Sequence, residues 1–184
     1  MSGVPKLTLR SAPTEALSDL ELTELRMLVF LAFDGRFDSD DWDHTLGGQH
    51  FLGLRDGAIV AHASAVAREL RVGERAVRTG YVEGVAVAAE HRRNGYGHSV
   101  MAQLGEFLAP SFELGALSAA EHTHSFYRRL GWRRWQGPTA VMVEGVAQPT
   151  PEDDGGVMIL ETPSTGPLDH EATLACDWRG GDVW

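Results

Sequence analysis

The stretch that most constrains this chain runs from Tyr81 to Leu108. Tyr81-Val82-Glu83-Gly84-Val85-Ala86-Val87 has the Val- and Tyr-rich composition of a buried strand, interrupted at Glu83-Gly84. A basic, glycine-bearing loop follows, Arg92-Arg93-Asn94-Gly95-Tyr96-Gly97-His98, and then the helix-like run from Ser99 to Leu108. A strand, a Gly-rich loop and a helix start together form a device for holding phosphate. Unpaired N–H groups at the helix start point at the anion, the helix dipole favours negative charge there, and glycine removes obstructing Cβ atoms. The spacing fits neither common nucleotide loop. No Gly-Lys-Ser/Thr follows, and the second half of Gly-x-Gly-x-x-Gly is missing.

At 184 residues the chain is read as a single domain, 1–184, long enough to bury a core. Its net charge of −10 argues against a nucleic-acid partner, which needs a basic face. The same charge suits a cationic small molecule, although it also serves plain solubility. Cys176 is the only cysteine, so an internal disulfide is ruled out, and a buried, inert thiol in a cytoplasmic protein is expected. Met1 to Lys6 lacks the apolar core of a signal peptide, and no apolar run is long enough for a bilayer, so no membrane association is expected.

Read in order, Leu7-Thr8-Leu9 is a first strand, and Ser18-Asp19-Leu20-Glu21 has the form of a capping box opening an amphipathic helix through Leu31. The Asp-rich segment Asp34 to His44 follows. It lacks the spacing and terminal Glu of a calcium loop. It reads equally as a solvated loop or, with Phe37 and Trp42, as a surface for amine-bearing sugars. Phe51–Leu54 and Ala58–Val66 form a hairpin around Asp56-Gly57, and a reversal at Val72–Arg75 places Tyr81–Val87 mid-sheet. Downstream come a strand at Leu114–Ser118 and a helix carrying His122, Ser125, Phe126 and Tyr127 that ends at Gly131. Two strands, Thr139–Val143 and Val157–Leu160, flank a turn-rich acidic loop at Pro149–Gly156. The tail from Glu161 has little periodicity, yet Trp178 and Trp184 suggest that it packs. His122 and His124, two apart on a helix, face different ways and make no metal pair; no metal is expected.

The order Arg-x-x-Gly-x-Gly after a Val-rich strand resembles the acyl-CoA loop of the GNAT N-acetyltransferases. Phe126-Tyr127-Arg128-Arg129-Leu130-Gly131-Trp132 resembles the second hallmark of that family. Three further segments, Asp41–Gly48, Gly80–Val87 and Cys176–Trp184, are similar to aminoglycoside 2′-N-acetyltransferases of the mycobacterial type, a likeness covering nearly the whole chain. The resemblance implies an α+β fold of the GNAT acyl-CoA N-acyltransferase type, with a mixed, mostly antiparallel central sheet flanked by helices. It implies acetyl transfer from acetyl-CoA to the 2′-amino group of aminoglycoside antibiotics, hence antibiotic resistance. It also implies a homodimer, since the family often pairs through its sheet or C-terminal strands. Arg36 departs from the acidic residue expected in that family's substrate loop.

Acetyl transfer to an amine needs a neutral nucleophile, a polarised thioester carbonyl and a proton for the departing thiolate. Glu83, the only acid inside the central strand, is the candidate base, acting directly or through water in a ternary complex. Tyr127 is the candidate general acid, because a phenol of pKa about 10 is protonated at neutral pH and thiols lie near 8.5. Val85 and Val87 are expected to bond the pantetheine amides through their main chains. Arg92, Arg93, Asn94, Gly95, Tyr96, Gly97 and His98 are expected to cradle the pyrophosphate. The resemblance places Asp41, Glu83, Gly84, Ser118, Asp153, Asp182 and the Trp184 carboxylate around the antibiotic, with Trp184 assisting the base. Two other readings stay open: a GNAT acting on a polyamine, amino sugar or protein amine, and a non-catalytic binder of acetyl-CoA or drug.

Overall fold

The computed structural model describes residues 7–184; the Met1–Lys6 segment, where the sequence shows no apolar leader core, lies outside the described residues. The chain divides into two compact units, residues 1–66 with 82–104 and residues 67–81 with 105–184. Two long strands, β3 (Ala58–Val72) and β4 (Arg75–Val87), contribute residues to both.

In the first unit β1 (Thr8–Pro13) pairs antiparallel with β2 (Gln49–Arg55), from Thr8 against Leu54 to Pro13 against Gln49. Strand β2 then turns into β3 through Asp56 and Gly57, whose φ values of 51° and 83° are both positive. That is the geometry a two-residue hairpin with right-handed strand twist requires, and Asp-Gly supplies it at low cost. Helix α1 (Asp19–Ala32) opens with the expected capping box: the Ser18 hydroxyl accepts the Glu21 N–H, and the Glu21 carboxylate accepts the Ser18 N–H at 2.9 Å. Its buried positions Leu25, Leu28 and Val29 share one face and pack with Leu17, Phe37, Trp42, Leu52 and Ala86.

The Asp-rich segment is not simply a solvated loop. Its second half is a short helix, α2 (Ser39–His44), capped reciprocally by Asp38 and Asp41 at 3.0 Å each. This is the same box as at Ser18, with Asp doing at both ends what Ser and Glu do there. Trp42 is thereby turned into the core. Helix α3 (Tyr96–Ser111) begins in this unit, three residues earlier than the sequence suggests, with Gly95 accepting the Ser99 N–H at 3.0 Å.

In the second unit the strand order is β6-β9-β5-β4-β3-β10-β7-β8, with β5 (Leu114–Ser118), β6 (Arg133–Arg134), β7 (Thr139–Val143), β8 (Val146–Pro149), β9 (Val157–Glu161) and β10 (Leu174–Asp177). Strand β4 lies inside this order, paired with β5 over Thr79–Tyr81, so of the Tyr81–Val87 segment expected mid-sheet only Tyr81 reaches that pairing. The β4–β5 and β10–β7 pairs are parallel, and the β3–β10, β5–β9, β6–β9 and β7–β8 pairs are antiparallel. Gly80 and Gly115 stand opposite each other in β4 and β5, and Leu108 of α3 sits over both. A Cβ at either position would lie 2.3 or 2.7 Å from a Leu108 methyl, so only glycine lets the helix approach this closely. Helix α4 (His124–Arg128) is much shorter than the sequence suggests, preceded by a 3-10 turn at Glu121–Thr123. Strands β6, β8 and β10 escaped the sequence reading altogether. Among the described residues no helix is long and apolar enough to cross a membrane, and no group of three His, Cys, Asp or Glu residues is arranged to hold a metal.

Candidate active site

In the first unit the interruption at Glu83-Gly84 is real. Gly84 has φ 58°, a left-handed conformation inside a strand, and a Cβ there would stand 3.0 Å from Thr45 Cγ2. Exposure alternates along this half of β4: Glu83, Val85 and Val87 are half-buried, and Gly84 and Ala86 are buried. Glu83, Val85 and Val87 therefore belong to the more accessible positions of the strand.

The carbonyls on both sides of the break are held from β3. His62 Nδ1 lies 2.7 Å from the Gly84 oxygen, and the Ser64 hydroxyl donates to the Glu83 oxygen at 3.4 Å. His62 contacts His50 through ring nitrogens 2.9 Å apart, and both imidazoles are fully buried. Burial pushes the His50 imidazole down to about 4 and His62, with His50 beside it, to about 3, so both are neutral at pH 7. The sequence reading missed this pair. Two polar residues at inward positions of neighbouring strands were the only available signal.

The loop into α3 uses two positive φ values, Arg93 at 65° and Gly95 at 79°. By helix geometry the N–H groups of Tyr96, Gly97 and His98 have no acceptor within the helix. Arg93, Asn94, Gly95 and His98 are exposed. The Asn94 amide donates to the His91 oxygen at 3.1 Å and shapes the loop. Arg92 is partly committed elsewhere: its guanidinium donates to the Val87 and Ala32 oxygens at 3.3 and 3.2 Å. It ties the loop to the end of β4 and keeps its charge beside it. Asp41 is half-buried and serves the α2 cap, which leaves one carboxylate oxygen without that duty. Arg36 is exposed, with Nε 3.4 Å from the Phe33 oxygen.

In the second unit Tyr127 lies on α4, nearly buried, with Phe126 and Trp132 edge-on at ring distances of 5.0 and 6.3 Å. Burial raises its phenol to about 12. Ser118, exposed at the end of β5, pairs in register with Val157, and the Asp153–Gly156 turn runs next to it. Asp153 carries a carboxyl raised by burial and by the neighbouring charges of Asp182, Glu152 and Asp154, with Thr150 opposing the rise.

Trp184 is 4% exposed, with its indole N–H on the Thr150 hydroxyl at 3.0 Å and its backbone N–H on Asp182 at 3.1 Å. Arg68 fastens this segment by donating to the Asp177 carboxylate and carbonyl and to the Val183 oxygen at 2.7–2.8 Å, while stacking over Tyr81. The end of the tail packs through Trp184 as expected, whereas Trp178, the other tryptophan behind that expectation, is exposed. Cys176 is buried as expected, its thiol pushed up to about 11 chiefly by that burial. A separate cavity of about 810 Å³ beside α4 and β6 is lined by Arg128, Arg133 and Arg134 and contains none of the sequence-derived site residues.

Residues 15–135 match the acetyltransferase (GNAT) domain model. An aminoglycoside 2′-N-acetyltransferase of Mycolicibacterium fortuitum is 41% identical over 179 residues, 96% of this chain and 92% of that protein. Among solved structures, a GNAT family N-acetyltransferase (YhbS) of Escherichia coli in complex with CoA matches with a TM-score of 0.66 at 10% identity, over 96% of this chain and 92% of its own. A GCN5-related N-acetyltransferase of Kribbella flavida matches with a TM-score of 0.58 at 23% identity, over 71% of this chain; this chain spans about a third, 34%, of that one. The mixed sheet with an interrupted β4, the glycine loop into α3 and these matches lead to one family: the chain is an α+β protein of the GNAT acetyltransferases.

Proposed function

We propose that this protein transfers the acetyl group of acetyl-CoA to the 2′-amino group of aminoglycosides. The 41% identical relative is named for that activity. The substrate class is further supported by the Asp153 carboxyl, raised first by burial and then by the neighbouring charges of Asp182, Glu152 and Asp154, a repulsion that a bound polycation relieves. A net charge of −10 favours the approach of such a molecule.

The residues present fit the cosubstrate. Where a side chain would stand at Gly95 there is open space, so the backbone leaves a diphosphate free to approach the start of α3. The Tyr96, Gly97 and His98 N–H groups would hold it, with Arg92, Arg93 and Asn94 beside them, and the Val85 and Val87 main chains would bond the pantetheine amides. Acetyl-CoA supplies an activated acyl group on a thiol leaving group.

Glu83 orients the acceptor ammonium and removes its proton, directly or through water, because an ammonium has no lone pair. Tyr127, raised to about 12, stays protonated across the working pH range. Full transfer of its proton to a thiolate near 8.5 is uphill by roughly 5 kcal/mol. Tyr127 therefore stabilises the thiolate chiefly as a hydrogen-bond donor, a narrower role than complete protonation. Asp41, Gly84, Ser118, Asp153, Asp182 and the Trp184 carboxylate bind the drug.

The test is free-thiol release from acetyl-CoA across a panel of amines. Release with 2′-amino aminoglycosides supports the proposal. Release with spermidine and with no aminoglycoside moves the substrate to polyamines. Acetyl-CoA binding without any release makes the protein a non-catalytic binder.

A further inference from the structure

The His50–His62 pair has a direction. A carbonyl oxygen only accepts, so the 2.7 Å contact with Gly84 requires a proton on His62 Nδ1. A neutral His62 then has a bare Nε2, and the 2.9 Å contact requires His50 to donate from Nδ1. His50 Nε2 is in turn an acceptor, 2.8 Å from the Thr14 hydroxyl. That hydroxyl has one proton and two claimants. The Gly48 oxygen is farther, at 3.2 Å, and already receives the Thr14 N–H at 3.0 Å, so the proton belongs to His50. The Thr14 oxygen is itself fixed by the Gly47 N–H at 2.9 Å. Each donor in this chain has one acceptor, and each tautomer is dictated by the next.

We propose that Thr14, His50 and His62 form a one-way hydrogen-bond relay that sets the Gly84 carbonyl, and through it the adjoining Glu83, making all three positioning residues for acetyl transfer. The proposal rests on Glu83 being the base. The relay is not a proton wire, because it ends on a carbonyl that cannot pass a proton on. Its effect is geometric. Gly84 is free to populate several backbone conformations, and the one at φ 58° turns its carbonyl toward β3. The imidazole of His62, locked in place by His50, removes that freedom, while Ser64 holds the preceding carbonyl. The shift of the two histidines toward lower pKa keeps both rings neutral, as the relay requires.

Two measurements test this, and the first does not depend on the substrate. Long-range ¹⁵N–¹H NMR of the intact protein at pH 7 is expected to show both imidazoles neutral and in the Nδ1–H tautomer; an Nε2–H tautomer at either ring overturns the relay. The second compares His62→Asn, whose amide N–H stands in for Nδ1–H, with His62→Leu, which has no donor. The Val85 amide shares a peptide unit with the Gly84 carbonyl, so its NMR shifts are expected to move in His62→Leu and to stay in His62→Asn. With an aminoglycoside that the wild type acetylates, kcat is expected to fall about tenfold or more in His62→Leu and less than about threefold in His62→Asn. Equal loss in both variants, or none in His62→Leu, overturns the positioning role. Should His62→Leu fail to fold, Thr14→Val removes the terminal donor at similar volume. His62 still dictates the Nδ1–H tautomer of His50, but the ring loses the bond that orients it, so the Val85 amide shifts are expected to move and kcat to fall; unchanged shifts and kcat overturn the role of Thr14.

Discussion

Gly84→Ala puts the interrupted strand under direct test. A residue with a Cβ pays about 1–2 kcal/mol to occupy the left-handed region, and Gly84 sits there at φ 58°. The added methyl also lands 3.0 Å from Thr45 Cγ2 and 3.3 Å from His62 Cε1. Thr45 and His62 are both fully buried and hydrogen-bonded, so neither yields freely. Such overpacking costs about 1–3 kcal/mol. Together the two effects come to about 3 kcal/mol, which lowers the melting temperature of a domain this size by about 9 °C. Gly95→Ala is the control: its φ is 79°, but nothing lies within 4 Å of the new methyl. Only the conformational cost applies, about 1 kcal/mol or some 3 °C. Scanning calorimetry of both variants decides the matter. If Gly84→Ala melts with or above Gly95→Ala, the packing around the break is not as described, and the reasoning that ties it to Thr45 and His62 fails.

Other predictions follow from the same geometry. Glu83→Gln is expected to lower kcat/KM by about 100-fold or more with acetyl-CoA binding retained in calorimetric titration; Tyr127→Phe is expected to lower kcat with little change in melting temperature, and a variant as active as wild type removes the phenol from the reaction. His50 and His62 have folded pKa values, about 4 and about 3, below the unfolded 6.5, so the unfolded chain binds more protons as pH falls. Stability is therefore full above about pH 6.5 and declines as pH drops toward the folded values, by up to about 1.4 kcal/mol per pH unit for each ring. Thermal melts at pH 7.5, 6 and 5 check this, and a flat profile contradicts it. Asp153→Asn is expected to raise KM for a cationic substrate severalfold, with a weaker salt dependence than wild type, and to leave stability unchanged or slightly higher because like charges are removed; steady-state kinetics at two salt concentrations reads out both.

Local chemistry was the legible part of this sequence. Ser18 with Glu21 announced α1, Asp56-Gly57 announced the first hairpin, and the valines flanking Glu83-Gly84 announced a strand; each signal lies within a few residues of what it specifies. The Asp38–Asp41 box carries the same information, but aspartates around it also read as a solvated loop, and only the burial of Trp42 tells the two apart. Strand β10 is four residues long and owes its place to β3 on one side and a parallel pairing with β7 on the other. Nothing within Leu174–Asp177 encodes either neighbour. The relay was hidden for the same reason. His50 and His62 are twelve residues apart and meet because the β2–β3 register sets His50 against Ser64 and Leu52 against His62, a diagonal that only the pairing reveals. Of the residues singled out beforehand, Arg92 and Asp41 proved to have structural duties in the loop and the α2 cap as well.

The central claim is that acetyl reaches one amine of one class of sugar. Two-dimensional NMR of the product made from acetyl-CoA and an aminoglycoside bearing several amines locates the new amide directly. A single acetyl group on the 2′ nitrogen, and no product from an analogue with a 2′-hydroxyl, is the expected result. Acetylation at another nitrogen, or equal turnover of the hydroxyl analogue, contradicts the account.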